Sequence, residues 1–292
     1  MIMKVHSIIE KQLLDANQAL CKRLGRSVIF LRAPMVPPVD EEMRSCIEEI
    51  VTDKICKLGV VLETPGGYLE VVERIYNVLR HHYQDVAFII PNYAYSAGTV
   101  LVLSGDEIYM DYYSVLGPID PQIISGNDYL PGIGYLLKFN ELLEKVNADI
   151  TGEKTRGEMA LLLSKFDPGK LFFIEQARER SIELLKEWLP KHKFKDWTKT
   201  EGTGSLVNQE MKQARAAQIA TVLGDPERWH SHGRGICISE LESDEIKLKV
   251  NCFSGDTVLN KAVRDYYNLA MDYFTKKQSF IHSPKGSRRI DV

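Results

Sequence analysis

The chain has 292 residues, of which 44% are hydrophobic and 26% charged, and its formal net charge at pH 7 is −3. This length can hold one large α/β domain, and the composition is that of an ordinary soluble globular protein. The small net charge gives no reason to expect a nucleic-acid partner. The five cysteines are scattered without a C-x-x-C pair, which indicates a reducing compartment rather than a disulfide framework. The early charges of the N-terminus do not fit a signal peptide, so we predict a cytoplasmic protein.

The first 115 residues alternate between predicted helices and strands. Residues 1–25 read as an amphipathic helix, and the apolar runs SVIFLRA, LGVVLETPGG and DVAFIIPNY predict three buried strands. Residues 86–105 contain no charged side chain and approach the length that spans a bilayer. Pro91, Asn92 and Ser96 interrupt this stretch, so we interpret it as a strand, a turn and a helix, and we expect no membrane association. With EIYMD as a further short strand, the alternation predicts a mainly parallel sheet built from repeated β-α crossover units.

Unusual residues follow two neighbouring predicted strands. Thr64-Pro65-Gly66-Gly67 follows the second strand, and Tyr95-Ser96-Ala97-Gly98 follows the third. Both segments should meet at the carboxyl edge of the sheet, where such folds bind ligands. There the N–H groups of Gly67 and Ala97 could hold an oxyanion while Ser96 attacks a carbonyl group. The simpler alternative is that the glycines only turn the chain and that Ser96 only caps a helix.

The segments LETPGGYLEVVERIYNVLR and PNYAYSAGTVLVLSGDEIYMDYYSVLGPIDPQ carry a resemblance to a known family. They resemble the serine dehydrogenase proteinase family, a branch of the Clp-fold serine peptidases related to the Clp protease proteolytic subunit and signal-peptide peptidase A. The resemblance covers roughly residues 59–122 and returns at WHSHGRGI. It implies a Clp/crotonase-like α/β fold, Ser96 as nucleophile, and Gly67 and Ala97 as oxyanion hole, with Gly66 shaping the loop. It also implies a triad in the order serine, aspartate, histidine.

Two regions of the chain are predicted. Residues 1–135 form the Clp/crotonase-like core with the nucleophile and oxyanion hole, and residues 136–292 form a mainly helical part of the same catalytic unit. This C-terminal helical extension should carry the general base and the contacts of a homo-oligomer. Within it, Ser205 is expected to cap the helix SLVNQEMKQARAAQIATVL, and ICIS is expected to be a short strand. The basic end KKQSFIHSPKGSRRIDV is interpreted as a solvated tail.

The general base for Ser96 is expected in a glycine-rich loop that contains His230 and His232. His232 precedes Gly233 and matches the histidine segment of the family better, although a plain surface histidine is the alternative reading. The two histidines could also be metal ligands, but no cysteine or carboxylate set nearby completes such a site. Lys138 is the alternative base, since signal-peptide peptidase relatives can use a lysine whose pKa burial lowers. An amphipathic helix that carries Lys138 at its surface is the simpler reading.

Asp120 is the candidate that orients the base, because Pro118 and Pro121 hold its backbone stiffly. Asp106 and Asp111 are alternatives that read more simply as turn residues. The predicted function is a metal-independent serine peptidase without a cofactor, acting on peptides or unfolded proteins. A non-catalytic Clp-fold scaffold and an acyl-CoA-binding crotonase-like enzyme are the rival hypotheses. The chain contains no P-loop motif, so an ATP-driven unfoldase would have to be a separate, unknown partner.

Overall fold

The computed structural model describes residues 5–51, 56–125, 128–148, 160–161, 163–275 and 278–292. The helices are α1 (Val5–Leu24), α2 (Val39–Ile50), α3 (Leu69–His82), α4 (Ala97–Leu103), α5 (Gly132–Ala148), α6 (Pro168–Lys191), α7 (Gln209–Leu223), α8 (Pro226–Trp229), α9 (Ile238–Leu241) and α10 (Thr257–Phe274). The strands are β1 (Ser27–Arg32), β2 (Lys57–Glu63), β3 (Asp85–Ile89), β4 (Tyr93–Ala94), β5 (Glu107–Met110), β6 (Val115–Leu116), β7 (Gln122–Ser125), β8 (Asp128–Pro131), β9 (Asn251–Cys252), β10 (Ser279–Ser283) and β11 (Gly286–Ile290).

The central sheet of the described chain has seven strands in the order β11-β10-β1-β2-β3-β5-β9. The pairs β1–β2, β2–β3, β3–β5 and β5–β9 are parallel, whereas β10 pairs with β1 and β11 in the antiparallel sense. The predicted mainly parallel α/β sheet is therefore confirmed. Helices connect the parallel strands, because a chain can return to form a neighbouring parallel strand only through a long connection over one face of the sheet.

The alternating side chains of β1 show how both faces of the sheet are buried. Ile29 and Leu31 pack with α2, α3, α4 and α6 in one core cluster, whereas Val28 and Phe30 pack with α1 and α10 in a second one. Successive residues of a strand point to opposite faces, so an uninterrupted apolar run requires cover on both sides. The run SVIFLR in β1 is covered on both faces in this way. The candidate site lies at the carboxyl edge of the sheet.

The C-terminal part differs from the sequence prediction in three places. The basic end is not a solvated tail: β10 and β11 form a hairpin that pairs with β1, and Phe280 and Ile281 are fully buried. ICIS is not a strand, because only Ile236 makes a β-bridge, to Leu116, and α9 begins at Ile238. The cap of α7 is Asn208, whose side chain accepts a hydrogen bond from Met211 N at 2.9 Å, and not Ser205.

The described residues beyond 136 contribute to the sheet of the first region. They form α6 to α10, and they also supply β9, β10 and β11 to that sheet. Helix α5 packs against α6 and the separate β7–β8 pair, whereas α6 contacts α4 and contributes Leu184, Leu185 and Trp188 to the larger core cluster. Among the helices that the structure describes, none combines the length and apolar character needed to cross a membrane.

Candidate active site

Ser96 lies in the turn of residues 95–97, which joins β4 to α4 and is called the Ser96 turn below. Its φ of 53° and ψ of −119° lie in a region that residues with a side chain rarely adopt. Such a conformation costs on the order of 1–3 kcal/mol and persists only where the surrounding structure imposes it. Ser96 occupies the N-cap position of α4, but within the described chain its hydroxyl caps no N–H group of the helix. Helix capping therefore does not explain the serine.

The glycine pair after β2 lies directly against the Ser96 turn. Gly66 has φ +99°, and a Cβ atom added to it would lie 2.8 Å from Tyr95 O and 2.9 Å from Ser96 Cβ. Gly67 has φ +148°, and a Cβ atom there would lie 2.4 Å from Met35 O. Only glycine allows the two backbones to approach so closely while φ is positive. A side chain at either glycine would therefore require the backbone around the Ser96 turn or Met35 to move.

Three backbone N–H groups at this loop have no hydrogen-bond acceptor among the described residues. They belong to Gly67, to Ser96 and to Ala97, the first residue of α4. By contrast, Gly66 N donates to Thr64 Oγ1 at 3.1 Å, and Gly98 N donates to Tyr95 O at 2.8 Å. The positive end of the α4 dipole adds to the donor character of this point. The N–H groups of Gly67 and Ala97 are the two that the sequence analysis proposes for an oxyanion, and that role stays a prediction.

Asp120 and His232 contact each other, although 112 positions separate them in the chain. His232 Nδ1 lies 2.9 Å from Asp120 Oδ1, and the side chains are 12% and 3% exposed. The alternative aspartates have other partners. Asp106 is bound by Arg80 at 2.7 Å and Lys195 at 2.5 Å, and these contacts hold its pKa below the usual value although burial opposes them.

Asp111 is likewise engaged elsewhere in the fold. Its carboxylate forms an ion pair with Arg264 and accepts hydrogen bonds from the N–H groups of Tyr113 and Ser114 at 3.0 and 3.1 Å. Carboxylates that are neutralised in this way stabilise turns and do not orient an imidazole. Of the three aspartates considered from the sequence, Asp120 is the one that contacts a histidine.

Strand β6 connects the Ser96 turn with the His232 loop. On one side β6 pairs in parallel with β4, with Ala94 opposite Leu116. On the other side Leu116 exchanges two backbone hydrogen bonds with Ile236, at 3.0 and 2.7 Å. Asp120 follows β6 by four residues, and His232 precedes Ile236 by four. Strand β6 thus links the segments that carry Ser96, Asp120 and His232, while no hydrogen bond of the described residues joins Ser96 to His232. Their catalytic roles stay a prediction.

Lys138 has the opposite environment from that of a lysine base. Its side chain on α5 is 73% exposed, and its Nζ lies 2.6 Å from Glu141 Oε2. The hydrogen bond to this carboxylate raises the pKa of Lys138, whereas a base needs a lowered one.

His230, the other histidine of the loop, is exposed and has a left-handed backbone with φ 59°. Over the described ranges, no group of three or more histidine, cysteine, aspartate or glutamate side chains could hold a metal ion.

Thr99 is a contact residue of this site to which sequence reasoning gave no role. It is fully buried, and its hydroxyl lies within hydrogen-bond distance of both Ala94 and Gly117. The only signal in the sequence is a hydroxyl inside the apolar run AGTVLVL, and that signal does not indicate the partner.

Residues 39–210 match the family of ClpP-like SDH-type serine proteinases. The chain belongs to this family. The match includes Gly67, Ser96, Ala97 and Asp120 and ends before His232. The family that the sequence motifs indicated is thereby confirmed, as is the α/β fold.

Other similarities cover various shares of the chain. Two uncharacterised proteins of Methanocaldococcus jannaschii, MJ1495 and MJ0137, are 33% and 32% identical over 155 and 164 residues. These segments are 52% and 56% of this chain, and 47% and 51% of the relatives, so the chain spans about half the length of the curated relatives it matches.

Two structures of the 1510-N membrane-bound stomatin-specific protease are similar with TM-scores of 0.41 and 0.42 at 11% and 12% identity. The similarity to the first, a serine-to-alanine mutant, covers 77% of this chain and 79% of the other chain. The second, a lysine-to-alanine mutant in complex with a substrate peptide, covers 87% and 82%.

Proposed function

We propose that the protein is a serine-type peptidase that cleaves peptide bonds through an acyl-enzyme at Ser96. The observation that carries the proposal is the strained Ser96 turn beside the unpaired N–H groups of Gly67 and Ala97, in a family of serine proteinases. A hydroxyl is a weak nucleophile until a base takes its proton. The pair of His232 and Asp120 supports the assignment of that base.

In the proposed reaction the Ser96 Oγ attacks the carbonyl carbon of the peptide bond, and its proton passes to Nε2 of His232. Asp120 accepts the hydrogen bond of Nδ1–H, which leaves the Nε2 lone pair available and stabilises the imidazolium that forms. The N–H groups of Gly67 and Ala97 bind the oxyanion, and each such donor is typically worth ~3 to 4 kcal/mol of barrier. The imidazolium then protonates the leaving amine, and water, activated by the same base, hydrolyses the ester.

The proposal also includes the substrate, the assembly and the compartment. Peptides or unfolded proteins are the expected substrates, and the reaction above uses no metal ion or cofactor. Phe172 and Phe173 on α6 are 64% and 57% exposed, and Leu137 on α5 is also exposed, which supports a homo-oligomer with contacts on these two helices. The five free cysteines, of which Cys56 and Cys252 are exposed, support a cytoplasmic location.

A fluorophosphonate probe tests the proposed function. The probe should label Ser96 in the assembled protein, and Ser96→Ala should abolish both labelling and peptide hydrolysis while circular dichroism shows an intact fold. Ser231→Ala, in the exposed loop beside His232, is the matched control and should be labelled normally.

Robust hydrolysis by Ser96→Ala would contradict the mechanism, and an unlabelled wild type would favour a scaffold. EDTA should leave the rates unchanged; a loss that zinc restores would contradict the metal-independent reaction.

A further inference from the structure

The side chain of Thr99 links two segments of the proposed site. Its Oγ1 lies 2.8 Å from Ala94 O, 2.9 Å from Gly117 O and 3.0 Å from Gly117 N. A threonine hydroxyl has one proton and two acceptor lone pairs. It can therefore accept from Gly117 N–H while it donates to one of the two carbonyl oxygens. The side chain is fully buried, so water does not replace these bonds.

The two partners of Thr99 lie next to the predicted catalytic residues. Ala94 precedes Ser96 by two positions, and Gly117 precedes Asp120 by three. Gly117 N also donates to Ala94 O at 3.1 Å, so the hydroxyl of Thr99 closes a small network between β4 and the segment after β6. Since β4 and β6 contain only two residues each, few ladder bonds hold them together. The hydroxyl of Thr99 adds to the few polar contacts between β4, which leads into the Ser96 turn, and Gly117, which leads into the loop of Asp120.

The conformation of Thr99 is not the usual one for a helical threonine. Such hydroxyls commonly bond to the carbonyl oxygen four residues earlier in the same helix. The Thr99 hydroxyl instead reaches beyond the start of α4 to β4 and across to Gly117, which is 18 positions away. Ser104, at the other end of α4, shows the ordinary behaviour, because its Oγ donates to Leu101 O at 2.6 Å.

We propose that Thr99 is a positioning residue that holds the Ser96 turn and the Asp120 loop at a fixed separation, so that the nucleophile and its base meet. This inference rests on the proposed function. Thr99 touches neither the substrate nor the reacting atoms, and it acts through Ala94 and Gly117. A displacement of about 1 Å between reacting groups can lower a rate about a hundredfold. The hydroxyl, rather than the size of the side chain, is the part that matters.

Thr99→Val keeps the shape of the side chain and removes its hydrogen bonds, whereas Thr99→Ser keeps the hydroxyl. The rate of fluorophosphonate labelling, per folded molecule, should fall roughly ten- to a hundredfold in Thr99→Val. It should stay close to the wild-type rate in Thr99→Ser and in the control Ser104→Ala, which loses a buried hydroxyl at the end of the same helix. A wild-type labelling rate in Thr99→Val, with only a lower Tm, would overturn the inference.

A double-mutant cycle separates positioning of the base from general weakening of the fold. In the His232→Ala background, Thr99→Val should lower the labelling rate much less than it does in the wild type, because the base that it positions is gone. Equal fold-changes in both backgrounds would mean that Thr99 does not act through the pair of Asp120 and His232, and would contradict the proposal.

The NMR signals of the His232 imidazole give a readout that needs no catalysis. Thr99→Val should shift the Nδ1 resonances, which report the contact with Asp120, while Thr99→Ser and Ser104→Ala should leave them in place. If the wild type is not labelled at Ser96, the proposed peptidase function fails, and the imidazole signals still decide the positioning inference. Signals that do not change in Thr99→Val would overturn it.

Discussion

At the scale of single residues, His232 and Lys138 have environments that favour opposite roles. His232 is largely buried and its Nδ1 contacts a buried carboxylate, which fixes the ring. Lys138 is exposed, and the hydrogen bond to Glu141 raises its pKa. Its side chain therefore stays in the protonated ammonium form at neutral pH. A base must be unprotonated to accept the serine proton. The environment of Lys138 therefore disfavours the role of base.

His232→Ala should therefore lower kcat about a thousandfold or more, because loss of a triad member leaves mainly the oxyanion hole and substrate binding. Lys138→Ala should cost little. Lys145→Ala is its matched control, since Lys145 also binds Glu141, at 2.7 Å, on the same helix. Steady-state hydrolysis and probe labelling measure all three variants. If activity persists in His232→Ala and disappears in Lys138→Ala but not in Lys145→Ala, the lysine is the base.

Much of the candidate site can be predicted from sequence because its residues lie at the ends of successive strands. Gly66, Gly67, Ser96 and Ala97 belong to two short segments whose meeting follows from a parallel sheet. The partners of Thr99 could not be predicted in the same way. A buried hydroxyl needs an acceptor, but the pattern AGTVLVL does not indicate whether that acceptor lies in its own helix or 18 residues later.

At the scale of elements, the glycine loop and the Ser96 turn form one unit. Backbone hydrogen bonds fix the loop on its outer side, since Met35 N donates to Gly66 O and Tyr68 N donates to Met35 O, both at 2.7 Å. On its inner side Gly66 contacts Tyr95 and Ser96 so closely that a Cβ atom cannot be added without moving backbone. The position of the Gly67 N–H group therefore depends on the absence of a side chain at Gly66.

Gly66→Ala should move this loop away from the Ser96 turn and lower labelling and hydrolysis roughly a hundredfold or more. The positive φ of 99° adds backbone strain, so the Tm should also fall. Gly202→Ala is the matched control, because a Cβ atom there has nothing within 4 Å and its φ is not positive. Labelling rates are compared at a temperature at which both variants are folded. Wild-type rates in Gly66→Ala would show that the glycine loop is not part of the site.

A strand of two residues is too short to show an alternating apolar pattern. For this reason the sequence does not predict the short strands β4 and β6. β4 begins at the last residue of DVAFIIPNY, which the sequence predicts as one strand, and β6 lies where no strand is predicted, yet they join the Ser96 turn to the His232 loop. Their pairing is decided by contacts with neighbours on both sides rather than by local pattern. The long strands and the helices α1 to α4, by contrast, have apolar patterns that predict them well.

At the scale of the whole molecule, the C-terminal hairpin shows where composition misleads. The lysines and arginines of the last residues suggest a tail in solvent, but the short run SFIHS is buried from Phe280 to Ser283. β10 completes the sheet next to β1, and its partner β11 is the edge strand that carries the basic residues. Charged side chains on an edge strand are a common way to prevent pairing with other chains.

His282 on β10 is fully buried where three elements meet. Its Nδ1 accepts a hydrogen bond from the hydroxyl of Tyr266 on α10, and that hydroxyl accepts one from Asn17 of α1 at 3.1 Å. Burial lowers the pKa of His282 to about 4, although the charge of Glu10 opposes this shift. In the unfolded chain a histidine has a pKa of ~6.5. Between these values the unfolded state binds the proton and the folded state does not.

The free energy of unfolding should therefore fall as the pH decreases from 6.5 to 4. In this range protons bind to His282 in the unfolded chain but not in the folded protein, and this binding stabilises the unfolded state. From pH 7 to pH 4.5 the contribution of this residue is about 2 kcal/mol. Urea unfolding at the two pH values measures this contribution.

The side chain of His282→Gln stays neutral at both pH values. The stability of this variant should therefore fall about 2 kcal/mol less than that of the wild type. His81→Gln, at the exposed end of α3, should behave as the wild type does. An equal fall in His282→Gln and the wild type would show that protonation of His282 does not couple the C-terminal hairpin to acid unfolding.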